Sequence, residues 1–92
     1  MSDSISLLTK LPNIGSTLAE KLVFIGVNTP QDLLDMGSEK AFIRIQTIDH
    51  EACFNMLCAL DGAVQGIRWH NLSRDRKTDL KEFYKQLMGN AR

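Results

Sequence analysis

Signals that start and stop α-helices recur along this chain, whereas the apolar–polar alternation typical of β-strands is almost absent. Pro12 ends a first apolar segment, because proline lacks a backbone donor and disfavours helix in the residue before it. Thr29 followed by Pro30 is a strong helix start, and Gly26 and Gly37 each follow a short apolar segment. These signals predict an all-α fold, a small bundle of about five helices.

Apolar stripes predict where the helices meet. Asp49 is expected to cap the longest helix, whose core-facing stripe begins at Cys53, and Thr17 with Glu20 has the pattern of a capping box. Ser73 is expected to cap the last helix. The centre of the core is expected at Leu57, Leu60, Phe83 and Leu87. The pattern leaves open, for three aromatic residues, whether they belong to the core or to an interface: Phe24, Phe42 and Tyr84.

The size of the chain allows one domain, spanning residues 1–92. Of its 92 residues, 43% are hydrophobic and 24% are charged, a balance that is typical of folded globular proteins and excludes a disordered chain. No apolar run approaches the roughly 18 residues of a membrane span, and Met1-Ser2-Asp3 does not have the pattern of a secretory signal. We expect a cytoplasmic protein that does not associate with membranes.

Charge is balanced overall but unevenly distributed. Residues 1–60 contain four Lys and Arg against seven Asp and Glu, whereas residues 61–92 contain seven against four. This polarity suits an acidic or nucleic-acid partner on one side of the molecule, or head-to-tail association of identical chains.

Residues that could support metal or thiol chemistry do not converge. Cys58 lies five residues after Cys53, so the two cysteines point about 140° apart on a helix, and His50 with Cys53 forms only one loose pair. Cys53 is expected to face the core, where a thiol is unreactive. With no phosphate-cradling glycine loop either, we predict a non-enzymatic protein without metal or cofactor. An enzyme would require a pocket in which titrating groups meet, for example His50 near Asp61 or His70 near Asp75.

Lys77, Lys81 and Lys85 recur every four residues on the last predicted helix, with Arg74 just before them. Such a ribbon is either a phosphate-binding face or the solvated side of an amphipathic helix, and the second case is the more common. Trp69, between Arg68 and His70, is either a stacking platform for a nucleic-acid base or a core anchor, and a core anchor is favoured.

The segment Leu11-Pro12-Asn13-Ile14-Gly15-Ser16-Thr17-Leu18-Ala19-Glu20-Lys21-Leu22 resembles a helix-hairpin-helix motif, which would occupy the N-terminal half of the domain. In that motif, backbone N–H groups at the start of the second helix hold a DNA phosphate without reading sequence. The resemblance implies a nucleic-acid contact at Asn13, Ile14, Gly15, Ser16 and Thr17, with Lys21 one turn further on as a positive charge. Asn13 stands where the motif usually has its first glycine, and Ser16-Thr17 stands where a basic residue usually follows the second. The alternative is a tight turn between helices with no ligand.

Several further segments, in order, are similar to the C-terminal domain of the TfoX/Sxy family, over about residues 7–87. They are the hairpin itself, Gly26-Val27-Asn28-Thr29-Pro30-Gln31-Asp32-Leu33, Gly37-Ser38-Glu39-Lys40-Ala41-Phe42-Ile43-Arg44 and Leu60-Asp61-Gly62-Ala63-Val64-Gln65-Gly66-Ile67-Arg68-Trp69. The resemblance implies a five-helix domain in a bacterial, cytoplasmic, non-enzymatic protein related to the regulators of natural DNA transformation (competence). Those regulators typically carry an additional N-terminal α/β domain, so we expect a stand-alone copy.

Two functions follow from these observations. The first is a module that binds double-stranded DNA through its phosphates, without sequence preference, at the hairpin and a neighbouring basic surface. The second is a protein-interaction or dimerisation module, a homo-oligomer included, in which the same turn is purely structural and DNA is not contacted directly. Zero net charge favours the second.

Overall fold

The chain folds as a series of short helices in the computed structural model, which describes residues 2–90. In order they are α1 (Ser2–Leu8), α2 (Ser16–Phe24), α3 (Pro30–Met36), α4 (Ser38–Gln46), α5 (Phe54–Gln65) and α6 (Arg74–Asn90), with a 3-10 turn at Trp69–Asn71 before α6. No strand occurs within residues 2–90, so the predicted all-α fold is confirmed. None of these described helices combines the length and the hydropathy that crossing a membrane requires.

The boundaries of α3 follow the sequence signals closely. The Thr29 hydroxyl accepts a hydrogen bond from the Asp32 N–H at 3.1 Å, and Pro30 occupies the first helical position. Gly37 ends the helix with φ at 86°, a left-handed conformation that glycine adopts at little cost. The predicted start and end of α3 are therefore confirmed.

Two predicted helix caps are wrong. Helix α2 begins at Ser16 with Gly15 as its cap and no side-chain cap hydrogen bond, so Thr17 and Glu20 do not form a capping box. Helix α5 begins at Phe54 with Cys53 at its N-cap, and the Asp49 carboxylate instead accepts a bond from the Glu51 N–H at 3.0 Å in the preceding turn.

Cys53 is also placed differently from the sequence-based prediction. It is exposed at the start of α5 and does not lie on the core-facing stripe. α6, with 17 residues, is longer than α5, with 12, so the prediction that the helix after Asp49 is the longest is wrong.

The core lies between α4 and α5, with the other helices packed around this pair. Leu57 and Leu60 are fully buried, as predicted, whereas Phe83 and Leu87 are only partly buried. The fully buried position on α6 is taken by Leu80. Of the aromatic residues that the sequence left open, Phe42 is fully buried and Tyr84 packs against it.

One buried carboxylate fastens three helices together. Asp61 of α5 is 3% exposed and accepts hydrogen bonds from Ser38 of α4 at 2.7 Å and from Gln65 at 2.7 Å. Arg76 of α6 donates to both of its oxygens, through Nε at 3.0 Å and Nη2 at 2.8 Å. Burial alone would raise the pKa of Asp61, but the bonds from Arg76, Ser38 and Gln65 outweigh burial and lower it. The carboxylate is thus charged and fully partnered, and it sets how α4, α5 and α6 pack.

Candidate nucleic-acid interface

The connection between α1 and α2 is a tight turn with one residue in a left-handed conformation. That residue is Asn13, with φ at 71°, whereas Gly15 is extended with φ at −92°. Asparagine tolerates the left-handed region better than most residues. Ile14, between them, is buried at 5% exposure. The turn therefore has an inward half, Asn13 and Ile14, and an outward half that starts at Gly15.

The Asn13 side chain joins the turn to residues that are distant in the sequence. Its Nδ2 donates to the carbonyl oxygens of Ala59 and Ile67 at 3.3 Å and 3.0 Å, and its Oδ1 accepts from the Trp69 N–H at 3.1 Å. Gly62 allows this approach, since a Cβ there would lie 2.5 Å from the Asn13 Nδ2 and 2.8 Å from the Ile67 carbonyl oxygen. The Asn13 side chain thus holds the fold together.

The outward half of the turn leaves backbone donors open. The first hydrogen bond of α2 runs from the Ala19 N–H to the Gly15 carbonyl at 2.9 Å. Within residues 2–90, no protein acceptor is bonded to the N–H groups of four consecutive residues, Gly15, Ser16, Thr17 and Leu18. Gly15, Ser16 and Thr17 are exposed, and a Cβ added at Gly15 would meet no atom within 4 Å. These donors, at the positive end of the helix dipole, form a surface suited to an anion; we call it the amide surface.

Lys21, predicted as the neighbouring positive charge, has an internal partner. Its ammonium group forms an ion pair and hydrogen bond with the Asp49 carboxylate, which joins α2 to the turn after α4. The bond from Lys21, together with the Glu51 N–H, lowers the pKa of Asp49. Of the six predicted site residues, Gly15, Ser16 and Thr17 therefore have open N–H groups on the surface. The side chains of the other three, Asn13, Ile14 and Lys21, are engaged within the protein.

An apolar patch extends from the end of α2 along the helix toward the amide surface. Phe24 is 75% exposed, and Ile48 is 42% exposed. Together with Thr17, Glu20 and Lys21 they line a shallow depression of about 220 Å³. The sequence pattern leaves open whether Phe24 belongs to the core or to an interface, although its position about 200° around the helix from Leu22 indicates the side away from the core.

The turn to which Asn13 is fastened carries polar and basic residues. Arg68 and His70 are exposed, and the His70 ring stacks on the Trp69 indole with 4.0 Å between ring centroids. Trp69 itself is partly buried against the core, in line with its predicted role as an anchor. Lys77 of α6 donates to the His70 carbonyl oxygen at 3.4 Å. The side chains of Asn13 and Lys77 thus both bond to the backbone of this turn.

A separate groove of about 560 Å³ runs between the end of α4 and α6, lined in part by His50, Cys53 and Tyr84. Neither histidine is bonded to Asp61, whose partners are Ser38, Gln65 and Arg76. In the part of the chain that the structure describes, no three His, Cys, Asp or Glu side chains are grouped as metal ligands.

Comparisons with known proteins identify one family and two similar solved structures. The family model of the TfoX C-terminal domain matches residues 5–84. The fold is similar to a crystal structure, in a triclinic form, of an uncharacterised protein from Listeria monocytogenes, with a TM-score of 0.87 and 49% identity over 89% of this chain and 93% of that one. A tetragonal crystal structure of a Listeria monocytogenes protein of unknown function gives a TM-score of 0.85 and 49% identity over 87% of this chain and 98% of that one. No functionally curated protein matches the chain.

Proposed function

The chain belongs to the family of TfoX C-terminal domains, and on this basis we propose that it is a non-enzymatic bacterial module, related to DNA transformation, that holds duplex DNA by its phosphates. The contact is the amide surface at the start of α2. Because phosphates are the same along any duplex, this contact positions the protein without selecting a sequence.

The observation that carries this proposal is the set of four open N–H groups at Gly15, Ser16, Thr17 and Leu18. A helix N-terminus has the equivalent of about half a positive charge, concentrated on such donors. A phosphate oxygen placed there accepts hydrogen bonds that are stronger than those between neutral groups. The proposal depends on the amides and not on Lys21, whose charge is paired with Asp49.

The attachment of the hairpin supports the same function. Asn13 ties the turn to Ala59, Ile67 and Trp69, so the amides are held in one arrangement before any ligand arrives. A surface that is already ordered loses less conformational entropy on binding. The hydrogen bonds of Asn13 therefore order the amides of Gly15, Ser16 and Thr17 before an anion binds.

Substituting Ser16 with proline tests the amide surface directly. Ser16 is the first residue of α2, where proline fits and its N–H has no helical partner. Gly15, with φ at −92° and ψ at −179°, already has the extended conformation that a residue before proline prefers. The variant Ser16→Pro thus removes one donor from the surface while keeping the helix, as Pro30 does at the start of α3.

The matched comparator is Ser16→Ala, which keeps the N–H and removes only the hydroxyl group. With similar melting temperatures for both variants, we expect Ser16→Pro to bind a fluorescent random-sequence duplex about tenfold more weakly than Ser16→Ala at low salt. Fluorescence anisotropy at about 50 mM and about 200 mM salt measures both the affinity and its steep decrease with salt. Equal affinities of the two folded variants would refute the proposal.

A second function, protein interaction, is favoured by Phe24 and Ile48. A phenylalanine that is 75% exposed beside a second exposed apolar residue is typical of a surface that another protein covers. If identical chains associate through this patch, Phe24→Ser should shift sedimentation in the ultracentrifuge to the monomer without lowering the melting temperature. An unchanged sedimentation profile would exclude the patch as a dimer interface.

A further inference from the structure

One side of α6 carries a row of cations, and the acidic residues of the same helix lie on a different side. At about 100° per residue, Arg74, Lys77, Lys81 and Lys85 lie within about 80° of one another around the helix axis. The acidic residues Asp75, Asp79 and Glu82 occupy a separate arc of about 60°. We call the row of four cations the cationic face.

The charges of the cationic face are available to a partner. In residues 2–90, every ion pair involves either Lys21 or Arg76, so no carboxylate pairs with a member of this face. Arg74, Lys81 and Lys85 are exposed, and Lys77 is half-buried. Between Phe54 and the start of the face lies an open depression of about 380 Å³, which leaves the cations accessible.

The orientation of the cationic face is fixed by the core. Leu80 is fully buried, and Arg76 is bonded to both oxygens of the buried Asp61. At about 100° per residue, Arg76 lies about 140° from the centre of the cationic face, and Leu80 lies about 100° from it. The helix is therefore held with its positive side outward, in a fixed position.

The cationic face also begins next to the turn that holds the hairpin. Asn13 is bonded to Trp69, the His70 ring stacks on Trp69, and Lys77 donates to the His70 carbonyl oxygen. We propose that duplex DNA held at the amide surface is contacted a second time by the cationic face of α6. The inference rests on the proposed function for the identity of the polyanion. Duplex DNA carries one charge per roughly 1.7 Å of its axis, so it supplies phosphates along a row of cations that spans about 16 Å.

The test compares two double variants of the full chain with the same change in net charge. Lys81→Gln with Lys85→Gln removes two charges from the cationic face. Lys40→Gln with Arg44→Gln removes two exposed charges from α4, where Asp32 and Asp35 line the same depression. We expect the first pair to weaken binding to a random-sequence DNA duplex about tenfold and to make the slope of log affinity against log salt shallower by about 1.8. The second pair should retain the wild-type slope.

Equal slopes for the two double variants would overturn the inference, and so would tighter binding of wild-type protein to an RNA duplex of the same length. The outcome can be separated from that of the hairpin experiment. A loss in Lys81→Gln with Lys85→Gln but not in Ser16→Pro supports the cationic face and refutes the amide surface, and the reverse result refutes the cationic face alone.

Discussion

Two polar regions of this domain differ in whether their hydrogen-bonding groups have partners within the protein. At Asp61, each carboxylate oxygen is bonded, and the partners come from α4, α5 and α6. At the start of α2, four consecutive N–H groups have no protein acceptor within residues 2–90. The first region is complete without a ligand, whereas the second retains the capacity to bind one.

Burial explains the difference. A charged group with 3% exposure must be partnered, because removing it from water is costly. Gly15, Ser16 and Thr17 are exposed residues whose N–H groups have no protein acceptor within residues 2–90, so water can satisfy these groups until an anion replaces it. The buried carboxylate therefore stabilises the fold, whereas the amides at the start of α2 remain open to water or to an anion.

Removing the buried carboxylate should have the largest effect on stability. In Asp61→Ala, Arg76 and Ser38 lose their common partner, and we expect the free energy of unfolding to fall by about 3 kcal/mol. Urea denaturation measures this change. The comparator Glu39→Gln removes only the exposed partner of Arg76, 3.5 Å away, and should cost less than about 1 kcal/mol. Similar losses in both variants would show that Asp61 does not carry the packing of the three helices.

The contribution of Asp61 should also depend on pH. Because the pKa of Asp61 is lowered in the folded protein, its stabilisation is fully present above the unfolded pKa of about 3.9 and is lost as pH falls through the lower folded value. The stability difference between wild type and Asp61→Asn should therefore be constant near neutral pH and narrow below about pH 4. A difference that stays the same down to pH 2 would contradict the assignment.

Loosening the hairpin should have a smaller effect. Asn13→Ala removes three hydrogen bonds and places alanine at a φ of 71°, so we expect a loss of about 2 kcal/mol. Asn13→Gly loses the same bonds but accepts the backbone conformation, and it should cost less. If both variants keep wild-type stability, Asn13 does not fasten the turn. If both variants lose stability but keep full affinity for DNA, the hydrogen bonds of Asn13 do not contribute to binding at the amide surface.

Local sequence signals were sufficient for much of the fold. Thr29, Pro30 and Gly37 define α3 because caps depend on neighbouring residues, and the apolar stripe placed Leu57 and Leu60 in the core. The resemblance to TfoX C-terminal domains also predicted the family that the chain is now shown to belong to. What the sequence alone did not reveal depends on contacts between distant residues.

The candidate site illustrates this limit. Asp49 is a residue type that often caps helices. Its carboxylate instead accepts hydrogen bonds from Lys21, 28 residues away, and from the Glu51 N–H in the turn before α5. Asn13 matches a hairpin position that needs positive φ, but its amide reaches Trp69, 56 residues away. The motif predicted where the open amides lie, and only the packing shows which predicted side chains are already engaged.

Amide resonances of isotope-labelled protein, followed by NMR while a random-sequence DNA duplex is added at low salt, test the central claim most directly. Our account predicts that the resonances of Gly15, Ser16, Thr17 and Leu18 shift early and strongly, and that they return toward their free positions as salt is raised. Shifts confined to the region of Phe24 and Ile48, or no shifts at these four amides while DNA is bound, would contradict it.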